Sequence, residues 1–345
     1  MQPLSFECDY NNGAHPQVLQ ALIDSNGEPS LTYGFDRWSH SAKAKILEAC
    51  HGKAADVYFL TGGTQTNATV IDAMLRSHEA VIAADSGHIA IHEAGAIEHS
   101  GHKVITLPGS EGRLSADAID TYMRQFSADE SRDHLAQPAL VYISLPTELG
   151  TLYSTAQLAD ISATCRRHGL RLFIDGARLA YALAADSSLS LPLLCDVCDA
   201  FYIGGTKCGA LCGEAVVFTH TPPTGIFPII KQHGALLAKG RLTGIQFDAL
   251  FTDNLYFEIG RHAIDMAHRL RTLLTRAGMT FAVDSPTNQQ FVIVDNTLLA
   301  ALKPQVDVTV WGPYDADHTL IRFVTSWSTT TAQLQQLEDI IMTCC

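Results

Sequence analysis

The segment Phe201-Tyr202-Ile203-Gly204-Gly205-Thr206-Lys207 is a short apolar strand that runs into a glycine turn and ends on an amine. Thirty-two residues earlier, Leu170-Arg171-Leu172-Phe173-Ile174-Asp175 is a second apolar strand with a carboxylate at its tip. A carboxylate on one strand end and a lysine on the next suit pyridoxal 5'-phosphate (PLP). The carboxylate would hold the pyridine nitrogen protonated, and the lysine would carry the cofactor as an imine. Each residue also has a plainer reading: Asp-Gly is a turn signal, and lysine is seldom buried. Two features favour chemistry. Lys207 follows an apolar strand instead of a polar loop, and Arg178, three residues after Asp175, could hold that carboxylate ionised or reach the cofactor. The amine must be neutral to attack, and desolvation near other cations lowers its pKa in the needed direction.

A third segment, Leu60-Thr61-Gly62-Gly63-Thr64-Gln65-Thr66-Asn67, ends a strand in two glycines where a helix begins. Free backbone N–H groups and the positive helix end suit a phosphate, and Thr64 and Thr66 add hydroxyl donors. The segment lacks the G-x-G-x-x-G dinucleotide fingerprint and the lysine of a nucleotide P-loop. In an open α/β sheet ligands bind beyond the carboxyl ends of the strands, where all three segments fall. Cys195 and Cys198 with Cys208 and Cys212 superficially have zinc-site spacing. They flank the strand and turn that present Lys207, where a metal knuckle would displace the lysine, so no metal is expected.

The elements that must position these residues follow from periodicity. Short apolar runs at Val57–Leu60, Ala80–Ala84, Lys103–Leu107, Ala139–Leu145, Leu170–Ile174, Ala200–Ile203 and Ala215–Phe218 alternate with helical patterns. That alternation predicts βαβ units and a largely parallel, buried sheet. One helix is well marked: Ser154-Thr155-Ala156-Gln157 reads as a capping box, Leu158, Ile161 and Cys165 share a face, and Gly169 stops it. After Gln232 the texture changes to a helical region from Ala235 to Ala277, strands at Thr280–Val283, Gln290–Val294 and Thr319–Val324, and a closing helix from Thr331. The expected division is an N-terminal segment and large α/β domain over 1–232, then a long helix and small α+β domain over 233–345.

The chain has 345 residues, 47% hydrophobic and 17% charged, enough for a substantial core and unlike a disordered chain. Its net charge of -13 argues against a nucleic-acid backbone as partner. No signal-peptide pattern opens it, and no apolar run approaches the ~20 residues that span a bilayer. Nine irregularly spaced cysteines fit a reducing compartment better than a disulfide framework. A soluble cytoplasmic protein is expected.

Together these residues resemble the low-specificity L-threonine aldolase / β-eliminating lyase family of fold-type I PLP enzymes. The matching stretches include Cys8-Asp9-Tyr10-Asn11-Asn12-Gly13, Tyr33-Gly34-Phe35-Asp36-Arg37-Trp38, Phe59 to Asn67, and His88 to Ala96. They continue through Thr147-Glu148-Leu149-Gly150-Thr151, Asp175-Gly176-Ala177-Arg178, Gly204-Gly205-Thr206-Lys207 and Arg322 to Trp327, covering essentially the whole chain. The resemblance implies an aspartate aminotransferase-like large domain with a smaller α+β domain. It further implies Lys207 carrying PLP, Asp175 on the pyridinium nitrogen, and His88 stacked on the ring with a share in proton transfer. Gly63, Thr64 and Asn67 would surround the phosphate, with Thr206 close by, and Asp9 would belong to the substrate loop. Arg178 and Arg322 would clamp the substrate carboxylate, because a guanidinium forks onto it bidentately. Arg241 resembles a phosphate ligand donated by a neighbouring subunit, with a plain surface arginine as the alternative. A homodimer or homotetramer with sites at the interface is implied.

The chain departs from the commoner branch of the family, which starts its substrate loop with Ser-Asp-Thr and carries a Thr-His-Asn element where this chain has Pro146-Thr147-Glu148. If that histidine is needed to deprotonate the β-hydroxyl, another base must serve here. The expected activity is retro-aldol cleavage of L-threonine, L-allo-threonine or a bulkier substrate such as phenylserine to glycine and an aldehyde. Another PLP-dependent β-elimination or racemisation, and a non-enzymatic ligand-binding module, stand as alternatives.

Overall fold

The computed structural model describes residues 3–344. Seven runs rich in Val, Ile, Ala and aromatic residues become strands β1 (Asp56–Leu60), β2 (Glu79–Ala84), β3 (Lys103–Leu107), β4 (Gln137–Ser144), β5 (Arg171–Asp175), β6 (Ala200–Gly204) and β7 (Glu214–Phe218). They form one sheet in the order β1-β7-β6-β5-β4-β2-β3. The pairings from β6 to β3 are parallel, whereas β7 runs antiparallel to both β6 and β1. Alternate residues supply two cores. Ile82, Val141, Ile174 and Val217 belong to one, and Val81, Leu140, Phe173 and Val216 to the other. Burial of both faces explains why these strands read as continuous apolar runs and not as an alternation.

Strand direction decides what reaches the working edge. β4, β5 and β6 end there at Ser144, Asp175 and Gly204, and β1 ends there at Leu60. Because β7 is antiparallel, it instead begins at that edge. Its first residue, Glu214, is paired with Leu60 on one side and Gly204 on the other. Helix α1 (Gly63–Met74) leaves the edge directly after β1, and the single turn α2 (His88–Ile91) follows β2. The predicted capping box forms at the start of α3 (Thr155–Arg167), with Ser154 and Gln157 satisfying each other's backbone N–H.

The helical region after Gln232 is not continuous. It divides into α4 (Arg241–Leu250) and α5 (Leu255–Arg276) at a turn where Asp253 and Asn254 take positive φ of 50° and 61°. Leu255, Tyr256, Ile259 and Ala263 on the first half of α5 join the core of the large sheet, and Met266, Leu270 and Leu274 on its second half join a third core. One helix thus ties both cores together. The third core lies under an antiparallel sheet of β8 (Thr280–Phe281), β9 (Gln289–Asp295), β10 (Thr309–Pro313) and β11 (His318–Val324), in the order β10-β11-β9-β8. β10 was not anticipated; half-exposed and interrupted at Gly312, it has a weak strand signature. The closing helix α6 covers Thr331–Cys344. Among the described residues no helix is long and apolar enough to cross a membrane.

Candidate active site

Two glycines let the Asp175 and Lys207 turns meet. A Cβ on Gly176 would overlap the Tyr202 carbonyl, and one on Gly204 would overlap the Ala177 carbonyl. The two strand ends therefore touch backbone to backbone, a separation no larger residue permits. Lys207 and Asp175 consequently wall one cavity of about 350 Å³, together with His88, Glu148, Arg178 and Glu214.

Asp175 is buried and densely hydrogen-bonded. Its Oδ2 accepts from the Tyr142 hydroxyl at 2.6 Å and from Asn67 Nδ2 at 2.9 Å, and its Oδ1 accepts from the Ala177 N–H at 2.9 Å. Burial pushes the carboxyl up, but the nearby His88 and the Tyr142, Tyr202 and Asn67 donors outweigh it, leaving the pKa below the ordinary aspartate value. The group is held as an anion, as a pyridinium partner must be. Asn67, expected around a phosphate, lines the cavity but gives its amide instead to Asp175 and, at 2.7 Å, to Glu93 Oε1. A short side chain one turn into α1 reaches sideways to the sheet edge and not back past the helix end.

Lys207 has its pKa lowered by burial and by the Arg178 cation, against the opposing pull of Asp9, Asp175 and Glu214. That is the direction a nucleophilic amine requires. Beside it, Glu214 accepts from the Gly205 N–H at 2.9 Å and the Thr206 hydroxyl at 2.7 Å, which fixes the turn that presents the lysine. Burial raises the Glu214 pKa to about 7. Sequence reasoning passed over this residue. The available signal was a lone acid opening an otherwise apolar strand.

His88 lies at the start of α2, with Nδ1 2.7 Å from Glu93 Oε1. Glu148, the residue at the family departure, accepts from the His88 backbone N–H at 2.8 Å and from Ser144 Oγ at 2.6 Å. Arg178 lines the cavity, but its fork is engaged: Nε and Nη2 donate to Asp9 Oδ2 and Oδ1 at 2.7 and 3.0 Å. Asp9 also accepts from Asn288 Nδ2 at 2.9 Å and has no exposed side-chain surface. Asp9, expected in the substrate loop, stands behind Arg178 and holds its guanidinium toward the cavity.

Arg322, the other expected clamp, does not wall the cavity. It donates to Gln289 and Thr309, packs on Trp311, and leaves a buried Nε without a partner. Arg241 lies outside the cavity of its own chain, stacked on Trp38 and donating to the Ser25 and Glu28 carbonyls.

The cavity fits PLP on its own chemistry. α1 opens there with Gly62 as a cap that offers no side-chain acceptor, so the first N–H groups of the helix keep their donors for an anion. Gly63 and Thr64 at that helix end, and Thr206 across from them, line the same space as the amine and the buried carboxylate. A phosphate cradle, a depressed lysine and an ionised aspartate match the phosphate, aldehyde and ring nitrogen of the cofactor.

Comparison with known proteins agrees. The beta-eliminating lyase family matches residues 21–339. A low specificity L-threonine aldolase from Pseudomonas sp. (strain NCIMB 10558) is 28% identical over 346 residues, covering 97% of this chain and 96% of its own. The solved structure of Leishmania major threonine aldolase is 40% identical, with a TM-score of 0.94 and 99% of each chain covered. Serine palmitoyltransferase from Sphingomonas wittichii, at 14% identity, covers 100% of this chain and 87% of its own with a TM-score of 0.75, and shares the fold alone.

Proposed function

The chain belongs to the beta-eliminating lyase family, and on that premise we propose that it is a PLP-dependent aldolase cleaving β-hydroxy-α-amino acids to glycine and an aldehyde. Its architecture is that of the fold-type I PLP enzymes, and threonine is the substrate that the names of its relatives give. The observation that carries the reading is the shared cavity wall of Lys207, Asp175 and the uncapped start of α1.

Bound PLP supplies an electron sink for the pair released when the Cα–Cβ bond breaks. Lys207 would hold the cofactor through its amine, and the depressed pKa keeps that amine available. Asp175 would face the ring nitrogen as an anion. Opposite charges about 4 Å apart attract by roughly 4 kcal/mol at an effective dielectric of 20, enough to keep the nitrogen protonated. Gly63 and Thr64, with Asn67 beside them, would surround the phosphate, Thr206 would stand next to Lys207 with its hydroxyl on Glu214, and His88 would cover the ring face. Arg178, preset by Asp9, would bind the substrate carboxylate with the N–H groups that Asp9 leaves free. Arg322 would join it as the second clamp, its unpartnered Nε a free donor for the carboxylate.

Tyr10, Tyr33, Phe35 and Phe227 remain exposed, and Tyr10 lines the cavity. Such aromatic surface supports a homodimer or homotetramer that closes the site, with Arg241 offered to a neighbouring subunit. Free thiols at every cysteine among the described residues support a cytoplasmic location.

The test is spectroscopic and chemical. Protein loaded with PLP should show a visible absorption band and release glycine and aldehyde from threonine, allo-threonine and phenylserine. Lys207→Ala should lose both. Release of pyruvate or 2-oxobutyrate without glycine would replace aldol cleavage by β-elimination.

A further inference from the structure

The departure at Pro146-Thr147-Glu148 leaves the β-hydroxyl without the histidine of the commoner branch, and the structure places an acid there. Glu148 is enclosed by protein except where it lines the cavity that holds Lys207. A hydrogen-bond chain leads from it into the sheet. Ser144 Oγ is 2.6 Å from Glu148 Oε1 and 3.1 Å from the Tyr142 hydroxyl, which is in turn 2.6 Å from Asp175 Oδ2.

A serine hydroxyl carries one proton, so Ser144 cannot donate to Glu148 and Tyr142 at once. Two arrangements satisfy the chain. With Glu148 ionised, Ser144 donates to it. With Glu148 protonated, Glu148 donates to Ser144, Ser144 to Tyr142, and Tyr142 to Asp175. The surroundings therefore accept either state of the carboxyl without stranding a polar group. Burial raises its pKa, as does Asp175, while Ser144 and the His88 N–H lower it. The titratable and charged groups around it are His88 and His92 on the α2 side, Tyr142 and Asp175 in the sheet with Glu93 beyond Tyr142, Tyr153 from the following loop, and Lys207, Arg178, Glu214, Tyr10 and Tyr202 on the rest of the cavity wall.

We propose that Glu148 is the catalytic base and acid at the substrate β-hydroxyl, and that Ser144 positions it; the proposal rests on the aldolase reading. In the cleavage direction the O–H bond breaks and a carboxyl O–H bond forms on Glu148. The oxygen lone pair closes the aldehyde C=O, and the electron pair of the Cα–Cβ bond goes to the sink named above. After the aldehyde leaves, Glu148 releases its proton to water in the open cavity, and Cα takes a proton from that water to give glycine. His88, whose Nδ1 is held by Glu93, keeps Nε2 as the competing base, and Glu148→Gln separates the two.

Glu148→Gln tests this, since the amide oxygen can still accept from the His88 N–H and Ser144 while basicity is lost. Removing a positioned base lowers cleavage by ~10²–10⁴-fold. Exchange of the glycine α-proton with D2O, followed by NMR, involves no β-hydroxyl and should stay within about threefold of wild type. Infrared difference spectra across the pH titration should lose one carboxylic C=O band in Glu148→Gln, and Ser144→Ala should shift that band while lowering cleavage less. Retained cleavage in Glu148→Gln overturns the proposal. So does a parallel fall of cleavage and exchange, which would mark a merely structural residue. Failure of the aldolase reading shows separately, as a wild-type protein that releases no aldehyde, and overturns the proposal with it.

Discussion

His88 and Glu93 share a 2.7 Å contact between Nδ1 and Oε1, and Asn67 links that carboxylate onward to Asp175. The group that would cover the ring face and the group that would hold its nitrogen are thus fixed by one amide. A carboxylate at Nδ1 sets the tautomer and plane of an imidazole. In Glu93→Gln the charge is removed while the shape stays, so the imidazole loses its anchor more than the fold loses packing. Turnover should fall by about 10–100-fold, by analogy with other outer-shell partners of a functional histidine, with KM changed little and the thermal midpoint unchanged or raised. Steady-state kinetics and a melting curve check both halves.

The Asp9–Arg178 pair carries a stability prediction. Burial alone would push Asp9 up, but Arg178, Lys207 and Asn288 hold its carboxyl below the ordinary value. A depressed carboxylate contributes stability that is present above its unfolded pKa near 3.8 and lost as pH falls through the lower folded value. Asp9→Asn leaves Arg178 buried without a counter-charge, a change that costs about 3–5 kcal/mol when one partner of a buried pair is removed. Urea unfolding at pH 7 should show that loss, and it should shrink toward pH 3. Substrate KM should rise in the same variant, because Arg178 is no longer aimed.

What was legible in the sequence followed from local signals. All seven apolar runs form the large sheet, and the motifs around Asp175, Lys207 and Gly63 meet, because strand ends and glycine turns are written locally. What was not legible depended on direction and register. Glu214 reaches the site only because β7 is antiparallel, and Asn67 turns to Asp175 only because α1 leaves the edge at that angle. Asp9 joins Arg178 across 169 residues of chain, a pairing that no spacing rule reveals. The break between α4 and α5 rests on two residues with positive φ, where Asp253-Asn254 was the available hint.

Asp175→Asn probes the charge of the ring partner apart from its shape. The amide keeps one acceptor oxygen, which can face Tyr142 and Asn67, and it loses both the anion and the acceptor toward the Ala177 N–H. Removal of roughly 4 kcal/mol of attraction corresponds to about a thousandfold in rate. Cleavage of phenylserine should fall by that order. The visible band should persist, since Lys207 is intact. Loss of the band would mean that Asp175 instead governs cofactor retention.

Glu214 supplies the clearest pH dependence. Its folded pKa, pushed up by burial to about 7, lies above the unfolded value of 4.5, so the folded chain holds this proton more tightly. The stability it contributes is complete below pH 4.5 and is lost as pH rises through 7. A shift of this size corresponds to roughly 3 kcal/mol at most, because each pKa unit is about 1.4 kcal/mol. Glu214→Gln cannot ionise and can still accept from Gly205. It should match the wild type at pH 5 and become the more stable of the two at pH 8. Its activity profile should also move, because the lysine beside it loses a neighbouring anion above neutral pH. Paired thermal melts at the two pH values decide the matter: an unchanged difference between them would place the Glu214 titration well away from neutrality.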